Sequence, residues 1–215
     1  NMCLNISYYK LQSFLFDAMP RDDPRYVSPE DCSKCSKICY SFDGNDYIVI
    51  PNSTSFTLFD FSIMLYLKAG TSSQRRELIS KDADPEPAGG DWTVLLGETG
   101  KISLNVRNEP SGYAIIQSSS NVDDNLWHSI IITRNSSTGL VSLYIDNNIE
   151  GTATGPTGSM YNDMDIDIGR YASNHTNYYN GLLDEVAIWN EDLTVAEITA
   201  LFNSGVPLGA SSNSG

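Results

Sequence analysis

The sequence predicts an all-β fold: a two-sheet antiparallel jelly-roll sandwich with one short C-terminal helix. Three observations predict it. From about residue 39, short apolar runs recur at regular spacing with Gly, Asn and Ser between them, which is typical of sandwiches. The chain has 215 residues, a length that suits one large sandwich. Apolar residues make up 40% of it, which is enough for a core between two sheets.

The first 38 residues form a separate, irregular extension that carries most of the cysteines. Cys3, Cys32, Cys35 and Cys39 all lie in the first 39 residues. An even number of cysteines in a loop-rich segment favours two disulfides in a secreted protein, with three pairings possible. The spacing of Cys32 and Cys35 is also that of half a zinc site, so four thiolates around zinc are an alternative, as are free thiols.

The predicted sandwich covers residues 39–206 and opens with two short strands, Cys39–Phe42 and Tyr47–Ile50. The turn between them reads Asp-Gly-Asn-Asp. The next segment, Phe56–Leu67, has apolar residues at every second position of its second half, which indicates a strand. Regular alternation and turn residues predict further strands over 76–81, 91–96, 101–107, 113–118, 127–134, 140–146, 149–154, 163–168 and 179–189.

The end of the chain predicts a hairpin, a helix and a tail. Asp146-Asn147-Asn148 fits a tight hairpin turn, because Asn tolerates positive φ. The helix predicted over Thr194–Phe202 is too short to be stable alone, so it must dock on the sandwich. Residues 207–215 are rich in Gly and Ser and are expected to be a flexible tail or linker.

Charge and composition exclude several classes of partner. The formal net charge is −14 and the thirteen basic residues are scattered, so nucleic acid is not an expected partner. No apolar run approaches the roughly 20 residues that span a bilayer, so membrane insertion is not expected. Charged residues are only 19% of the chain while uncharged polar residues are abundant, which favours an extracellular or cell-surface location.

Two groups of motifs resemble a known family. The first is Phe-Asp-Gly-Asn-Asp-Tyr-Ile-Val-Ile-Pro, which begins at Phe42. The second combines Trp-His at Trp127, Asn-Gly-Leu-Leu-Asp-Glu-Val at Asn180 and the short helix that follows. Together they resemble the laminin-G-like branch of the concanavalin A-like lectin/glucanase superfamily, over about residues 40–205.

The resemblance implies a binding scaffold more often than a catalyst. It leads us to expect an extracellular, non-catalytic binding or adhesion protein that recognises a glycan or an extracellular protein through loops at its rim. The alternative is a structural subunit of a filament, surface coat or virion. In that case residues 1–38 tie one copy of the chain to the next.

Glucanases of the same superfamily use two Glu residues on one strand, in the pattern Glu-x-Asp-x-(x)-Glu. Retaining hydrolysis needs carboxyl groups about 5–5.5 Å apart, which this spacing supplies. The stretch 163–167 alternates correctly but contains Asp and no Glu. The two histidines, His128 and His175, have no accompanying nucleophile motif. The sequence therefore predicts that the protein is not an enzyme.

Laminin-G-like domains often carry calcium near one edge of the sandwich, and the resemblance makes calcium a possible cofactor here. Calcium takes six to eight oxygen ligands. The candidates are Asp43, Asn45 and Asp46 in the first turn and Asp184 in the last strand. The alternative is that Asp43 caps its turn and Asp184 accepts hydrogen bonds from buried backbone N–H groups.

Sugar recognition needs aromatic surfaces and planar amides, and one loop offers both. Its candidate ligand-binding residues are Tyr171, Asn174, Tyr178 and Tyr179. The alternative is an ordinary surface loop that happens to contain these residues.

Four N-x-Ser/Thr motifs permit N-glycosylation in a secreted eukaryotic protein. They lie at Asn5, Asn52, Asn135 and Asn174.

Overall fold

The computed structural model describes residues 26–27, 39–83, 89–108 and 111–205. These residues form two antiparallel sheets and one short α-helix. The elements are β1 (Tyr26–Val27), β2 (Cys39–Asp43), β3 (Ile48–Ile50), β4 (Phe61–Lys68), β5 (Arg76–Lys81), β6 (Asp91–Leu96), β7 (Lys101–Asn108), β8 (Gly112–Asn121), β9 (Trp127–Arg134), β10 (Leu140–Ile145), β11 (Asn148–Thr154), β12 (Ile166–Ile168), β13 (Asn180–Trp189) and α1 (Val195–Phe202).

The strands are divided between two sheets that face each other. The first sheet has the order β1-β2-β13-β4-β9-β10-β11, and the second has the order β3-β12-β5-β6-β7-β8. Late strands are inserted between early ones in both sheets, since β13 lies between β2 and β4 and β12 lies between β3 and β5. The predicted all-β sandwich with a short C-terminal helix is confirmed.

The hydrophobic core lies between the two sheets. In β4, the side chains of Phe61, Ile63 and Leu65 point inward and are fully buried. Phe42 from β2 and Val186 from β13 belong to the same cluster. Period-two alternation therefore places one face of each strand in a common core, as a sandwich requires.

A second apolar cluster lies on the outer face of the first sheet, beneath α1. Its buried members are Met64, Tyr66, Ile131, Leu193 and Ile198. Because α1 covers this face, every residue of β4 from Phe61 to Leu67 is buried. The outer face of the second sheet has no such cover from a helix of the described chain.

Several details differ from the predicted boundaries. The long strand expected from Phe56 begins at Phe61, because Thr54–Phe56 forms a 3₁₀ turn. β12 is limited to Ile166–Ile168, since the preceding Asp165 turns its side chain to the backbone N–H of Asn52 at 2.8 Å. The predicted hairpin turn is confirmed, with φ of 49° at Asp146 and 65° at Asn147.

The N-terminal extension contributes one short strand to the sandwich. In β1, Tyr26 pairs with Tyr40 and Val27 pairs with Cys39, so β1 forms an edge of the first sheet. Cys39 is buried at the start of β2. Cys3, Cys32 and Cys35, together with the tail over 207–215, lie outside the described residues, so the disulfide and tail predictions stay predictions.

Candidate functional site

A pocket of about 220 Å³ lies on the outer face of the second sheet. We call it the sheet-face site. Its floor is made by outward side chains of β6, β7 and β8, and residues from three connecting segments also line it. The residues that line it are Arg75, Asp82, Asp91, Trp92, Thr93, Asn105, Val106, Arg107, Tyr113, Ala114, Ile115 and Tyr171.

Strand register arranges the floor of the sheet-face site in two rows. In one row Asp91 pairs with Arg107, which pairs with Tyr113. In the next row Thr93 pairs with Asn105 across β6 and β7. Alternation sends the intervening residues into the core, so polar and aromatic side chains share the outer face.

The site combines an exposed aromatic ring with polar groups that suit hydroxyl-rich ligands. Tyr113 is 64% exposed and Ile115 is 60% exposed. The guanidinium of Arg107 donates to the carboxylate of Asp91 at 3.1 Å, so both groups are held in fixed positions. Asn105 adds an amide with both donor and acceptor capacity.

Thr93 is the unusual member of this site. It is only 2% exposed, and its Oγ1 atom has no hydrogen-bond partner. Leaving a buried hydroxyl unpaired costs about 1–3 kcal/mol. The hydroxyl is covered in the structure, so a ligand hydroxyl becomes its partner only when the neighbouring side chains move aside.

One wall of the sheet-face site comes from the loop that follows β12. Ser80 on β5 fixes this loop: its hydroxyl donates to the carbonyl of Arg170 at 3.3 Å and accepts from the N–H of Ala172 at 2.8 Å. The loop thereby brings Tyr171 to the pocket. The guanidinium of Arg75 lies 5.5 Å from the centre of the Tyr171 ring.

Arg75 is in turn held by a buried carboxylate. Its Nη2 atom donates to Oε1 of Glu77 at 2.6 Å, and the Glu77 side chain is fully buried. Burial raises the pKa of Glu77 to about 7, although the bond and charge of Arg75 act in the opposite direction. Glu77 therefore loses its proton near neutral pH, and only then forms a full ion pair with Arg75.

A second and larger cavity lies at one end of the sandwich, with a volume of about 810 Å³. We call it the loop groove. Arg75 lines both cavities and so separates the loop groove from the sheet-face site. The residues of the loop groove are Asp43, Gly44, Gly70, Thr71, Ser72, Ser73, Gln74, Arg75, Arg76, Glu98, Asn177, Tyr178 and Asn180.

The predicted ligand-binding loop is divided between these two cavities. Tyr171 lines the sheet-face site and Tyr178 lines the loop groove, where its ring packs edge-on against Tyr47 at 6.4 Å. Asn174 is exposed at the tip of the loop and lines neither cavity.

Tyr179 needs a correction, because the structure places it in the core rather than on the loop surface. It is fully buried, and its ring packs edge-on against Phe42 at 5.9 Å. Its hydroxyl donates to backbone carbonyls of Lys68 and Leu182, at 3.2 and 3.1 Å. Tyr179 therefore anchors the end of the loop and does not face a ligand.

The predicted calcium residues lie in two places. Asp43, Asn45 and Asp46 share the turn after β2, where Asp43 Oδ1 accepts from the N–H of Asn45 and Asp46 Oδ2 from the N–H of Asp43, both at 3.1 Å. Asp43 pairs with Asn180 on β13, and Asp184 lies four residues further along that strand. At about 3.3 Å per residue, the backbones of Asn180 and Asp184 are roughly 13 Å apart. Oδ1 of Asp184 accepts from the N–H of Glu185 at 2.9 Å.

The turn and Asp184 are therefore not brought together as one ligand set. Within the part of the chain that the structure describes, no three His, Cys, Asp or Glu side chains are grouped so that they could hold a metal ion. The turn keeps further carboxylate oxygens beyond those used in its own hydrogen bonds, and backbone carbonyls can add to them. Calcium at the turn stays a prediction.

The glycosylation motifs differ in how much their Asn side chains are used by the fold. Asn52 accepts from the ammonium of Lys81 at 3.0 Å. Asn135 accepts from the N–H groups of Ser137 and Thr138 within its turn. Asn174 is exposed, which makes it the most accessible of the described motifs, and Asn5 lies outside the described residues.

The floor of the sheet-face site was not among the predicted site residues. Thr93, Asn105, Arg107 and Tyr113 were read only as parts of strands. A signal for them exists in the alternation of β7 and β8, where Asn, Arg and Tyr occupy positions opposite to the core-facing Leu, Val and Ala. What the sequence does not reveal is which outer face stays open, since α1 covers the other one.

Solved structures of similar fold come from several kinds of protein. The binding domain of Paraclostridial Mosquitocidal Protein 1 has a TM-score of 0.64 and 18% identity, over 79% of this chain and 44% of that one. The CBM40 of Ruminococcus gnavus IT-sialidase, bound to α2,3-sialyllactose, has a TM-score of 0.61 and 9% identity, over 76% and 95%. The SAP-like pentraxin of Limulus polyphemus has a TM-score of 0.57 and 13% identity, over 75% and 79%.

These likenesses show the fold. They show nothing of the ligand, because the sequence identities are all low. The chain spans less than half of the mosquitocidal binding domain that it matches. No curated protein sequence matches the chain. Among the described helices, none is long and apolar enough to cross a membrane.

The family follows from the sequence itself. A laminin G family model, described as concanavalin A-like lectin/glucanases superfamily, matches residues 42–199. This range includes every strand from β3 to β13 and both groups of motifs, apart from the end of α1 after residue 199. The chain therefore belongs to the laminin-G-like family of the concanavalin A-like lectin/glucanase superfamily.

Proposed function

We propose that this protein is an extracellular, non-catalytic glycan-binding module, and that the glycan binds at the sheet-face site. The observation that carries the proposal is a single pocket lined by both the unpaired Thr93 hydroxyl and the exposed Tyr113 ring. A sugar has both a set of hydroxyls and an apolar C–H face. Its hydroxyls would pair with Thr93 and Asn105, and its C–H face would pack on the ring of Tyr113. A protein ligand would make less use of a pocket this small.

The comparisons support a binding role in general terms. The similar structures include a CBM40 bound to α2,3-sialyllactose and the binding domains of a mosquitocidal protein and of botulinum neurotoxin serotype G. Their identity to this chain is low, so their ligands do not carry over. The choice of a glycan rests on the side chains of the sheet-face site.

The non-catalytic part of the proposal rests on Asp91, one of the two carboxylates that line the pocket. Asp91 accepts from Arg107, from the amide of Asn162 at 2.8 Å and from the N–H of Ala83 at 3.3 Å. Both carboxylate oxygens of Asp91 thus accept hydrogen bonds from the protein, so neither is free to attack a substrate. The sequence pattern of the superfamily's glucanases is missing as well.

The test is a glycan microarray followed by calorimetry with the strongest array ligand. We expect Tyr113→Ala to weaken binding roughly tenfold, which is about 1.4 kcal/mol. Thr93→Val removes the hydroxyl with little change of shape, so it should weaken binding without lowering the melting temperature. Phe59→Ala is the matched control, because Phe59 is 56% exposed but does not line the pocket.

A microarray without hits, or Tyr113→Ala and Thr93→Val variants that bind as tightly as the parent protein, would contradict the proposal. Turnover of a polysaccharide would contradict its non-catalytic part.

Calcium dependence is a separate proposal that rests on the Asp43–Asp46 turn. If calcium binds there, adding it to chelator-treated protein raises the melting temperature, and Asp46→Ala abolishes that rise. Asp184→Asn should leave the rise unchanged, because Asp184 lies away from the turn. A melting temperature that does not change when calcium is added would contradict calcium binding at this turn.

A further inference from the structure

Arg76 is a buried cation whose hydrogen bonding is incomplete. It is 4% exposed, and only its Nη1 atom has acceptors: the carbonyls of Gly70 at 3.0 Å and Asn180 at 3.5 Å. Its Nε and Nη2 atoms are buried without any hydrogen-bond partner. Each buried donor left unpaired costs about 1–3 kcal/mol, and more when the group is charged.

The two unpaired atoms are not an arbitrary pair. In a planar guanidinium, the N–H of Nε and one N–H of Nη2 point the same way and form a fork with parallel donors. A carboxylate matches this fork with its two oxygens, in the bidentate arrangement that arginine favours. The part of Arg76 that lacks partners is thus the part shaped for a carboxylate.

Among the residues that the structure describes, none provides a carboxylate to this fork. Asp123 acts on Arg76 through its charge but forms no hydrogen bond with it, and burial lowers the pKa of Arg76 despite that charge. Glu77, the neighbour in sequence, is bound to Arg75 instead. Since no described carboxylate occupies the fork, it can take one from a ligand.

Arg76 belongs to the lining of the loop groove, and both of its carbonyl acceptors belong to lining residues as well. The rest of the lining is polar, with hydroxyls from Ser72 and Ser73 and an amide from Asn177. Asp43 and Glu98 also line the groove and can accept hydrogen bonds from hydroxyl groups, although they would repel a second negative charge.

We propose that the loop groove is a second binding site, which takes an acidic sugar unit through a bidentate bond between the sugar carboxylate and Nε and Nη2 of Arg76. The hydroxyls of the sugar then meet the serine, amide and carboxylate groups of the lining. Hexuronic and sialic acids both carry this chemistry. Because the fork is covered from bulk water, a side chain of the groove moves aside when the carboxylate enters.

Calorimetry with matched acidic and neutral probes tests the site. One arm compares trigalacturonic acid with its methyl ester, and the other compares α2,3-sialyllactose with lactose, all at 0.15 M salt so that the net charge of −14 is screened. We expect the acidic member of at least one pair to bind roughly tenfold more tightly than its neutral partner. The arm that responds identifies the kind of acid.

Arg76→Met removes the fork while keeping an apolar side chain of similar length, and we expect it to abolish the preference for the acidic probe. Arg76→Lys keeps the charge but not the fork, and should retain only part of the preference; it covers the case in which the methionine variant does not fold. Lys101→Met is the control, since it removes one positive charge outside both cavities.

Equal binding of acidic and neutral probes in both arms, or a preference that survives in Arg76→Met, would overturn the proposal. Neither result bears on the sheet-face site, whose test uses Thr93 and Tyr113. Loss of binding in the Thr93 and Tyr113 variants with an intact acid preference would likewise separate the two sites.

Discussion

Arg134 shows how one buried cation can organise backbone that has no regular pairing. It is fully buried at the end of β9, and its guanidinium donates to the carbonyl of Phe59 and to the carbonyls of Pro156 and Gly158 at 2.7 and 3.0 Å. These carbonyls belong to the segment before β4 and the segment after β11. One side chain thus joins two loops that are distant in sequence.

Replacing Arg134 by methionine should therefore be costly. The three buried carbonyls would lose their donor, and we expect the free energy of unfolding to fall by about 3 kcal/mol or more. Urea denaturation measures this change. Lys101→Met removes a charge from the surface and should stay within about 0.5 kcal/mol of the parent protein. A loss below about 1 kcal/mol for Arg134→Met would show that water replaces the guanidinium at little cost.

Glu77 gives the protein a pH dependence whose sign can be worked out. Its pKa is about 7 in the folded state and about 4.5 in the unfolded chain, so the folded state binds more protons between these values. Glu77 therefore adds most to the free energy of unfolding below about pH 4.5. This stabilisation is lost as the pH rises through about 7.

Glu77→Gln removes this contribution because glutamine does not titrate. We expect the difference in melting temperature between variant and parent to move in favour of the variant as the pH rises from 5 to 7.5. Measuring both proteins across this range cancels the effect of the other titrating groups. A difference that stays constant with pH would mean that Glu77 is already ionised at pH 5.

The C-terminal helix is the element that decides which sheet face remains open. α1 is only eight residues long and is held at its N-terminus by a capping box between Thr194 and Glu197. The carboxylate of Glu197 accepts from the N–H of Thr194 at 2.8 Å, and the Thr194 hydroxyl accepts from the N–H of Glu197 at 3.4 Å. Ile198 then covers Tyr66 and Ile131 on the first sheet.

Thr194→Ala should cost about 1 kcal/mol, since a helix this short depends on its cap as well as on docking. Thr194→Ser keeps the hydroxyl and should recover most of that loss. Urea denaturation of the two variants provides the comparison. If alanine and serine were equally stable, the helix would be held by its apolar contacts alone.

At the scale of the whole molecule, the strand pattern was predictable because burial follows period two. The predicted strands at 76–81, 91–96 and 127–134 have the same limits in the structure. The pattern could not show that Lys81 is fully buried, because its ammonium is held by Asn52 and by the carbonyl of Met164, far away in sequence.

The candidate site was predictable only where a loop stood out in composition. Tyr171 was found through its Tyr- and Asn-rich loop and does line the sheet-face site. The prediction that Tyr179 faces a ligand was wrong, because the burial of its side chain depends on strands that are distant in sequence. Thr93 and Tyr113 look like ordinary strand residues, and their role depends on strand register and on the position of α1, which only the assembled sandwich determines.

The central claim is that the outer face of the second sheet binds a glycan. The most direct test is to titrate ¹⁵N-labelled protein with the strongest microarray ligand and to follow the backbone amide signals by NMR. The account predicts shifts centred on Thr93, Asn105, Arg107 and Tyr113, with little change beneath α1 on the first sheet. Shifts centred on the helix-covered face or the Cys39 edge, with those four amides unmoved, would contradict it.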